Sequence, residues 1–194
     1  RQELAANLQL CIPTVAKNID ELLDAGLIAQ SGSRGNTGGR NAVAYSLVSN
    51  ARAAIGIEIT SNHISMAALD LLGNIVTTSR VRAAFSSSEA YYKNLGSLFR
   101  ELVEKAGLTG GQILGVGVGL PALVDIDRRT ILFSKIIDLE SNVYEQISAN
   151  IPYPVELFND ANAAAYTEIW KDPDRRNAFY LMLSNNIGGC FVLD

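Results

Sequence analysis

The spacing of apolar residues changes character at Ala53, and that change limits what the chain can fold into. Before it, Leu4 and Leu8 stand one helical turn apart, and Ile12, Val15, Ile19, Leu22 and Leu23 recur at intervals of three and four. These are the periods of two short amphipathic helices. After it, residues 54–59, 64–71 and 74–82 read as three strands in succession, with a Leu72-Gly73 turn between the last two. Helix and strand patterns then take turns. Residues 87–106 read as a helix with Tyr91, Leu95, Leu98, Leu102 and Val103 along one face, stopped by Gly107. A short apolar run of strand length at 113–120 follows, then a helix at 142–150, a strand at 155–158 and an alanine-rich helix at 160–170. Two last strands, 177–183 and 189–193, flank the turn Ser184-Asn-Asn-Ile-Gly188. Three meandering strands followed by alternating helix and strand predict a mixed sheet with helices packed on it.

The first fifty residues form a module of their own. Residues 9–11 break the first helix, Pro13 suits the first turn of the second, and Gly26 stops it in a left-handed conformation. Strands at 27–30 and 42–47 flank Ser31-Gly-Ser-Arg-Gly-Asn-Thr-Gly-Gly-Arg40, which is too rich in glycine to be other than a loop. Helix, turn, helix and hairpin are the parts of a winged helix-turn-helix, here without its first helix. In that module the second helix carries polar side chains into a major groove. Thr14, Lys17 and Asn18 are the candidates on the outer face, and Arg34 and Arg40 in the loop could enter a minor groove. The same shape also serves protein–protein contact. Arg1, Lys17, Arg34 and Arg40 balance Glu3, Asp20, Glu21 and Asp24, so DNA binding would rest on a few placed cations rather than on bulk charge.

With 194 residues, 48% of them hydrophobic, the chain can bury one or two cores. A net charge of −4 argues against a broadly basic surface. Cys11 and Cys190 lack metal-type spacing and fit a reducing compartment. No apolar run reaches membrane-spanning length and no signal peptide is visible, so a cytoplasmic location is expected. The chain opens on Arg1 rather than Met, and both ends read as cut.

The motifs Arg1-Gln-Glu-Leu-Ala5, Thr14-Val-Ala-Lys-Asn-Ile-Asp-Glu-Leu-Leu23, Gly26-Leu-Ile28 and Thr37-Gly-Gly-Arg40 resemble the DNA-binding head of the ROK family (repressors, open-reading-frame proteins and kinases). The resemblance continues through Gly56-Ile-Glu-Ile-Thr60, Asp70-Leu-Leu-Gly-Asn-Ile-Val76, Gly115-Val-Gly-Val-Gly-Leu-Pro-Ala-Leu-Val-Asp125 and Phe158-Asn-Asp-Ala-Asn-Ala-Ala-Ala165. It implies an α/β architecture: a winged helix-turn-helix over 1–50, a first actin-like (ribonuclease H-like) sugar-kinase-type lobe over 51–176, and the start of a second lobe over 177–194. Residues 49–52 would be the linker. It further implies a transcriptional repressor of carbohydrate genes, bound as a homodimer or higher homo-oligomer to a double-stranded DNA operator and released by a sugar-like effector.

The same resemblance places sugar hydroxyls on Asn159 and Asp160, with Asp160 as the general base of the kinases. A carboxylate can accept hydroxyl protons, and a helix N-terminus would keep it ionised. Either residue could equally cap the helix that follows. At the nucleotide site the chain departs from the family. Glu58 and Thr60 stand where kinases have Asp and Gly, and a β-branched Thr60 obstructs backbone approach to phosphate. Ser184-Asn-Asn-Ile-Gly-Gly-Cys190 replaces a glycine-rich phosphate turn, leaving Asn186, Gly188 and Gly189 as vestiges. Lys135-Ile136 replaces the family's sugar-binding Pro-Asn pair. The family's later Glu/His sugar ligands and its cysteine-rich zinc motif would fall beyond Asp194, so no cofactor or metal is assigned to these residues. The expectation is therefore a sensor that no longer phosphorylates. The competing readings are an active hexose kinase and a ligand-independent DNA-binding or dimerisation protein. Smaller signals read blandly. The glycines at 115, 117 and 119 would let a strand pack close to a helix or ligand; His63 would be solvated; Tyr166 and Trp170 would be core; Cys11 would be a small buried residue.

Overall fold

The computed structural model describes residues 1–34, 42–127, 129–172, 177–183 and 187–193. Helix α1 (Gln2–Leu8) meets α2 (Ile12–Asp24) across a turn in which Gln9 is left-handed. Pro13 lies in the first turn of α2, where its missing N–H leaves no bond unmade. At the other end Gly26 takes φ 67. Its N–H donates to Leu23 O and that of Leu27 to Leu22 O, both at 2.9 Å. That pair of bonds is a Schellman stop, satisfying two carbonyls the helix would otherwise leave open. Strands β1 (Ile28–Arg34) and β2 (Ala42–Leu47) pair antiparallel, with a register shift between Gln30 and Gly32. This part has a small core of Ala5, Val15 and Ile19, with Leu23, Ile28 and Tyr45 packed against it. Ile12 and Leu22, expected on the apolar face of α2, are exposed instead. One short helix and a two-stranded hairpin cover only the narrow line through Val15 and Ile19.

A 3-10 helix (Ser49–Ala51) leads into a five-stranded sheet. Strands β3 (Ala53–Ile59), β4 (His63–Asp70) and β5 (Ile75–Arg82) form the expected meander. Helix α3 (Glu89–Lys105) crosses to β6 (Ile113–Leu120), and α4 (Val143–Asn150) crosses to β9 (Val155–Asn159). The order is β5-β4-β3-β6-β9, with β3, β6 and β9 parallel and the first two hairpin steps antiparallel. Alternation fixes which face is covered. Ile55, Ile57, Ile59, Val116, Val118 and Leu157 are buried together with Leu95, Phe99 and Leu102 of α3 and Val143 and Ile147 of α4. Each such aliphatic or aromatic side chain contributes about 1.5–3 kcal/mol by leaving water. The glycines of β6 lie on the other face. There Gly117 approaches the ring of Phe158 on β9, and Gly115 approaches the Pro154 carbonyl. They allow close packing between neighbouring strands, and Gly117 and Gly119 also border a cavity on this face. His63 opens β4 half-buried, with its backbone bonded to Thr60, rather than standing free in solvent.

A further hairpin, β7 (Ala122–Asp125) with β8 (Thr130–Ser134), escaped the sequence reading because its strands are short and their apolar runs do not alternate. Left-handed Arg129 at its turn reaches Glu156 Oε1 and the Tyr144 hydroxyl, each at 2.9 Å, and lies over the Tyr144 ring. Helix α5 (Asp160–Lys171) then carries the hairpin β10 (Ala178–Leu183) and β11 (Ile187–Val192). It buries Ala161 and Ala165 rather than its aromatics: Tyr166 is 58% and Trp170 76% exposed, so neither is core. Small residues at the contact let β11 approach closely, with a Cβ on Gly188 coming within 3.4 Å of that of Ala161. No helix among the described residues is long and apolar enough to cross a membrane.

Two substitutions on α3 test this packing. A Cβ on Gly96 would stand 2.8 Å from the Asn150 carbonyl oxygen at the end of α4. Gly96→Ala, normally favourable in a helix, should therefore cost about 1–3 kcal/mol in urea unfolding. Tyr91 is buried with its hydroxyl unpartnered, and burial pushes its phenol up. Tyr91→Phe should leave stability unchanged or raise it by about 1 kcal/mol in the same assay.

Candidate ligand cleft and candidate nucleic-acid face

The C-terminal end of β9 places Asn159 and Asp160 side by side, with the chain entering α5. Asn159 is the N-cap: its Oδ1 accepts from Asn162 N at 3.1 Å. Its Nδ2 donates to Ala122 O at 2.9 Å, tying the cap to the start of β7. The side chain is thus held at both ends, with one N–H left for a ligand hydroxyl. Asp160 accepts from Ala161 N at 2.8 Å through Oδ1. Burial raises the Asp160 carboxyl above its ordinary value, and the facing Glu58 charge raises it further. Desolvation and the like charge thus outweigh the local N–H bond, which favours the ionised form expected at a helix N-terminus.

Glu58 and Asp160, assigned from sequence to different ligands, belong to one cavity. Gly119 explains how. It sits in register with Glu58 on one side, and a Cβ there would come within 3.9 Å of Asp160 Cα on the other. The cavity of ≈ 900 Å³ spreads over the glycine-bearing face of the sheet, with Gly56, Ala67, Gly117, Phe158, Tyr166 and Met182 also lining it. The sequence signal for it was the run of small residues alternating with branched ones in β6 and β3. Thr60 does not reach this cavity. Its hydroxyl accepts from His63 N at 3.0 Å and donates to His63 O at 3.2 Å, closing the β3–β4 turn on itself. Gly188 and Gly189 lie on β11, where a Cβ on Gly189 would stand 2.5 Å from Tyr180 O. Their smallness is required by the hairpin itself. Asn186 lies outside the described residues. A separate polar hollow of ≈ 410 Å³ is lined by Ser61, Ser86, Ser87, Ile136 and Asp138 among others, so the altered Lys135-Ile136 step borders it. Among the described residues no group of three or more His, Cys, Asp or Glu could hold a metal ion.

On α2, Thr14, Lys17, Asn18 and Glu21 are all exposed and share one face. Lys17 pairs loosely with Glu21 at 3.6 Å. Cys11, expected to be buried, is exposed, because it sits in the turn ahead of α2 with no packing partner above it. Its sulfur lies 2.9 Å from the Thr14 hydroxyl, which holds the thiol below its ordinary value. Thr14 is therefore engaged locally, while the exposed Asn18 amide makes no side-chain hydrogen bond among the described residues. Arg34 ends β1 opposite Ala42, but its side chain and the whole of Arg40 lie outside the described residues.

The raised Asp160 value makes a pH prediction with a definite sign. The folded state tolerates the protonated form better than the ionised one. The stabilising contribution is therefore complete below the ordinary value of 3.8 and is lost as pH rises through the raised value. Asp160→Asn keeps an oxygen for Ala161 N–H and removes the titration. The Tm of this variant should gain on wild type as pH rises from 3.8 into the neutral range. A constant difference across that range would mean that Asp160 is not held in a desolvated site.

Residues 54–194 match the sequence profile of the ROK family. A xylose repressor of Bacillus spizizenii (strain ATCC 23059 / NRRL B-14472 / W23) is 26% identical over 194 residues, covering 97% of this chain and 50% of that protein. A glucokinase of Streptomyces coelicolor (strain ATCC BAA-471 / A3(2) / M145) is 31% identical over 142 residues, covering 72% of this chain and 43% of that protein. The crystal structure of a ROK family transcriptional regulator, a homologue of the E. coli Mlc protein, has the same fold with a TM-score of 0.75 at 18% identity, over 98% of this chain and 49% of that one. The chain spans about half the length of the curated relatives it matches. With a profile match that runs from the second residue of β3 to the end of the sequence, the chain belongs to the ROK family.

Proposed function

We propose that the chain belongs to a sugar-responsive transcriptional regulator, most simply a repressor, that has lost the kinase chemistry of its relatives. The observation that carries this is the head. The likeness to a xylose repressor runs through residues 1–50 as well as the body, whereas the likeness to a glucokinase covers only 72% of the chain. In this reading α1, α2 and the β1–β2 hairpin act as a winged helix-turn-helix. Lys17 and Asn18 of α2 face a major groove, Thr14 supports them, and Arg34 and Arg40 of the hairpin approach the backbone or minor groove. Two chains place two heads on a palindromic operator.

A sugar-like effector sits at the mouth formed by Asn159 and Asp160, the spare Asn159 N–H and the Asp160 carboxylate meeting its hydroxyls. Such a ligand releases DNA only if it binds two arrangements of the protein with different affinity. Thr60, locked into its own turn, and the altered stretch 184–190 argue against productive ATP binding, since phosphoryl transfer depends on positioning. The kinase reading keeps one feature in its favour, a carboxylate at 160 in a cavity.

The test is a gel-shift titration of the intact protein on duplexes selected from a random pool, with and without a panel of pentoses and hexoses. Lys17→Ala should weaken binding to every duplex and lower the dependence of log K on log salt by roughly 0.9. Asn18→Ala should instead relax the preferred sequence. Unchanged affinity in both variants would remove α2 from the interface. ATP-dependent turnover of any sugar, abolished in Asp160→Asn, would restore the kinase reading.

A further inference from the structure

The residues that join the two parts of the chain have no slack. Val48 N donates to Leu27 O at 2.9 Å, tying the joint to the base of the head hairpin. The next four carbonyls along the joint each accept a hydrogen bond. Val48 O accepts from Ala51 N at 3.0 Å and Ser49 O from Leu71 N at 2.9 Å. Asn50 O accepts from Gln112 Nε2 at 2.7 Å and Ala51 O from Arg52 Nη1 at 2.8 Å. Two of these donors belong to the joint and two to the body, one in the turn after β4 and one just before β6. Backbone groups satisfied in this way hold the joint on the body, because lifting it away would strand them without partners, and only Val48 lies between its two bonded ends.

Gln112 is itself held in place. Its Oε1 accepts from Thr109 N at 2.8 Å and from the Thr109 hydroxyl at 2.9 Å, which aims Nε2 at Asn50. Across the joint, Asp70 shapes the β4–β5 turn by accepting from Leu72 N and Asn74 N, both at 2.9 Å, and from Asn74 Nδ2 at 3.1 Å, and the nearby Ser49 side chain helps to lower its carboxyl. Desolvation works to raise the Asp70 carboxyl, yet Asn74, Leu72 and Ser49 together leave it below its ordinary value.

We propose that Gln112 is a positioning residue for DNA recognition: its amide latches the joint at Asn50, fixes the angle of the head on the body, and so selects the spacing of the two half-sites read by a pair of chains. This rests on the regulator reading given above. A head on a loose tether accepts any spacing within reach. A head at a fixed angle accepts one spacing, repeated only at whole turns of the duplex.

Gln112→Glu separates the latch from the local fold. The carboxylate still accepts from Thr109, so the turn before β6 stays capped, but it has no hydrogen to give Asn50 O. Gln112→Ala removes both functions and serves as the harsher control. In the intact protein, moving the half-sites of a selected duplex apart by about five base pairs, half a turn, should cost wild type roughly tenfold in affinity. The same change should cost Gln112→Glu less than about threefold, with its affinity for an isolated half-site unaltered. A second readout needs no DNA. Spin labels on Asp24→Cys in the head and Glu101→Cys on α3, with Cys11 and Cys190 replaced by Ser, report the head-to-body distance. The distribution should be narrow with Gln112 and broad in Gln112→Glu, and broader still when Ser49→Ala is added. A distribution that stays narrow in Gln112→Glu overturns the proposal at the latch itself. Unchanged spacing preference in that variant also overturns it. Broadening in a protein that retains no duplex in any form overturns it through the regulator reading instead.

Discussion

Strand β6 is the constraint on which the rest of the molecule depends. It lies between β3 and β9 and bonds to both. Its branched residues Val116, Val118 and Leu120 are buried beneath the helices on one face, and Gly115, Gly117 and Gly119 occupy the other. A strand with branched side chains on both faces would have filled the cavity, pushed Phe158 aside and separated Glu58 from Asp160. Glycines through a central strand cost conformational entropy. Here that cost is offset by pairing on both edges and by the core beneath α3 and α4.

The mouth of the cavity follows from this arrangement. β9 stops where Asn159 turns to cap α5, and the second bond of the cap, to Ala122 O, ties it to the chain leaving β6. The residues at the mouth are therefore placed by two parallel strands ending side by side. That setting gives Asp160 partial burial, and Glu58 arrives on the neighbouring strand β3. Helix α5 buries alanines rather than its aromatic residues, which keeps it close to β11 and leaves Tyr166 along the cavity edge. The same closeness sets the tight contact of Gly188 with Ala161.

The joint between head and body uses the opposite end of β6. Gln112 immediately precedes the strand and Ala122 begins just beyond it, so one rigid element separates the latch from the mouth. Among the described residues the head has a core of three buried residues, and the body a far larger one. A small unit of this kind owes its orientation to the few bonds at its base. On the proposed reading, the side chains of Gln112 and Asp70 would set that orientation.

Much of this was legible in the residues. The periods of three to four and of two located nearly every helix and strand, because each side chain's face is set by its own backbone geometry. Gly26 and Gly107 marked helix ends for the same local reason. The candidate pair Asn159 and Asp160 was legible too, and so was the possibility that one of them caps a helix. What sequence could not supply were the properties that arise between distant residues. The ionisation preference of Asp160 depends on burial and on Glu58, a hundred residues earlier. The exposure of Trp170, Tyr166 and Cys11 depends on what happens to lie above them. The turn of the β7–β8 hairpin is tied down where Arg129 meets Glu156 and Tyr144. The latch joins Gln112 to Asn50 across 62 positions. By itself, then, the sequence determined the elements, their order and the residue types at the mouth, since these follow from local periodicity and local bonding. Only the tertiary structure decided which charges share a cavity, which aromatic rings meet water and how firmly the head is held, because solvation and distant hydrogen bonds exist only once the chain has closed on itself.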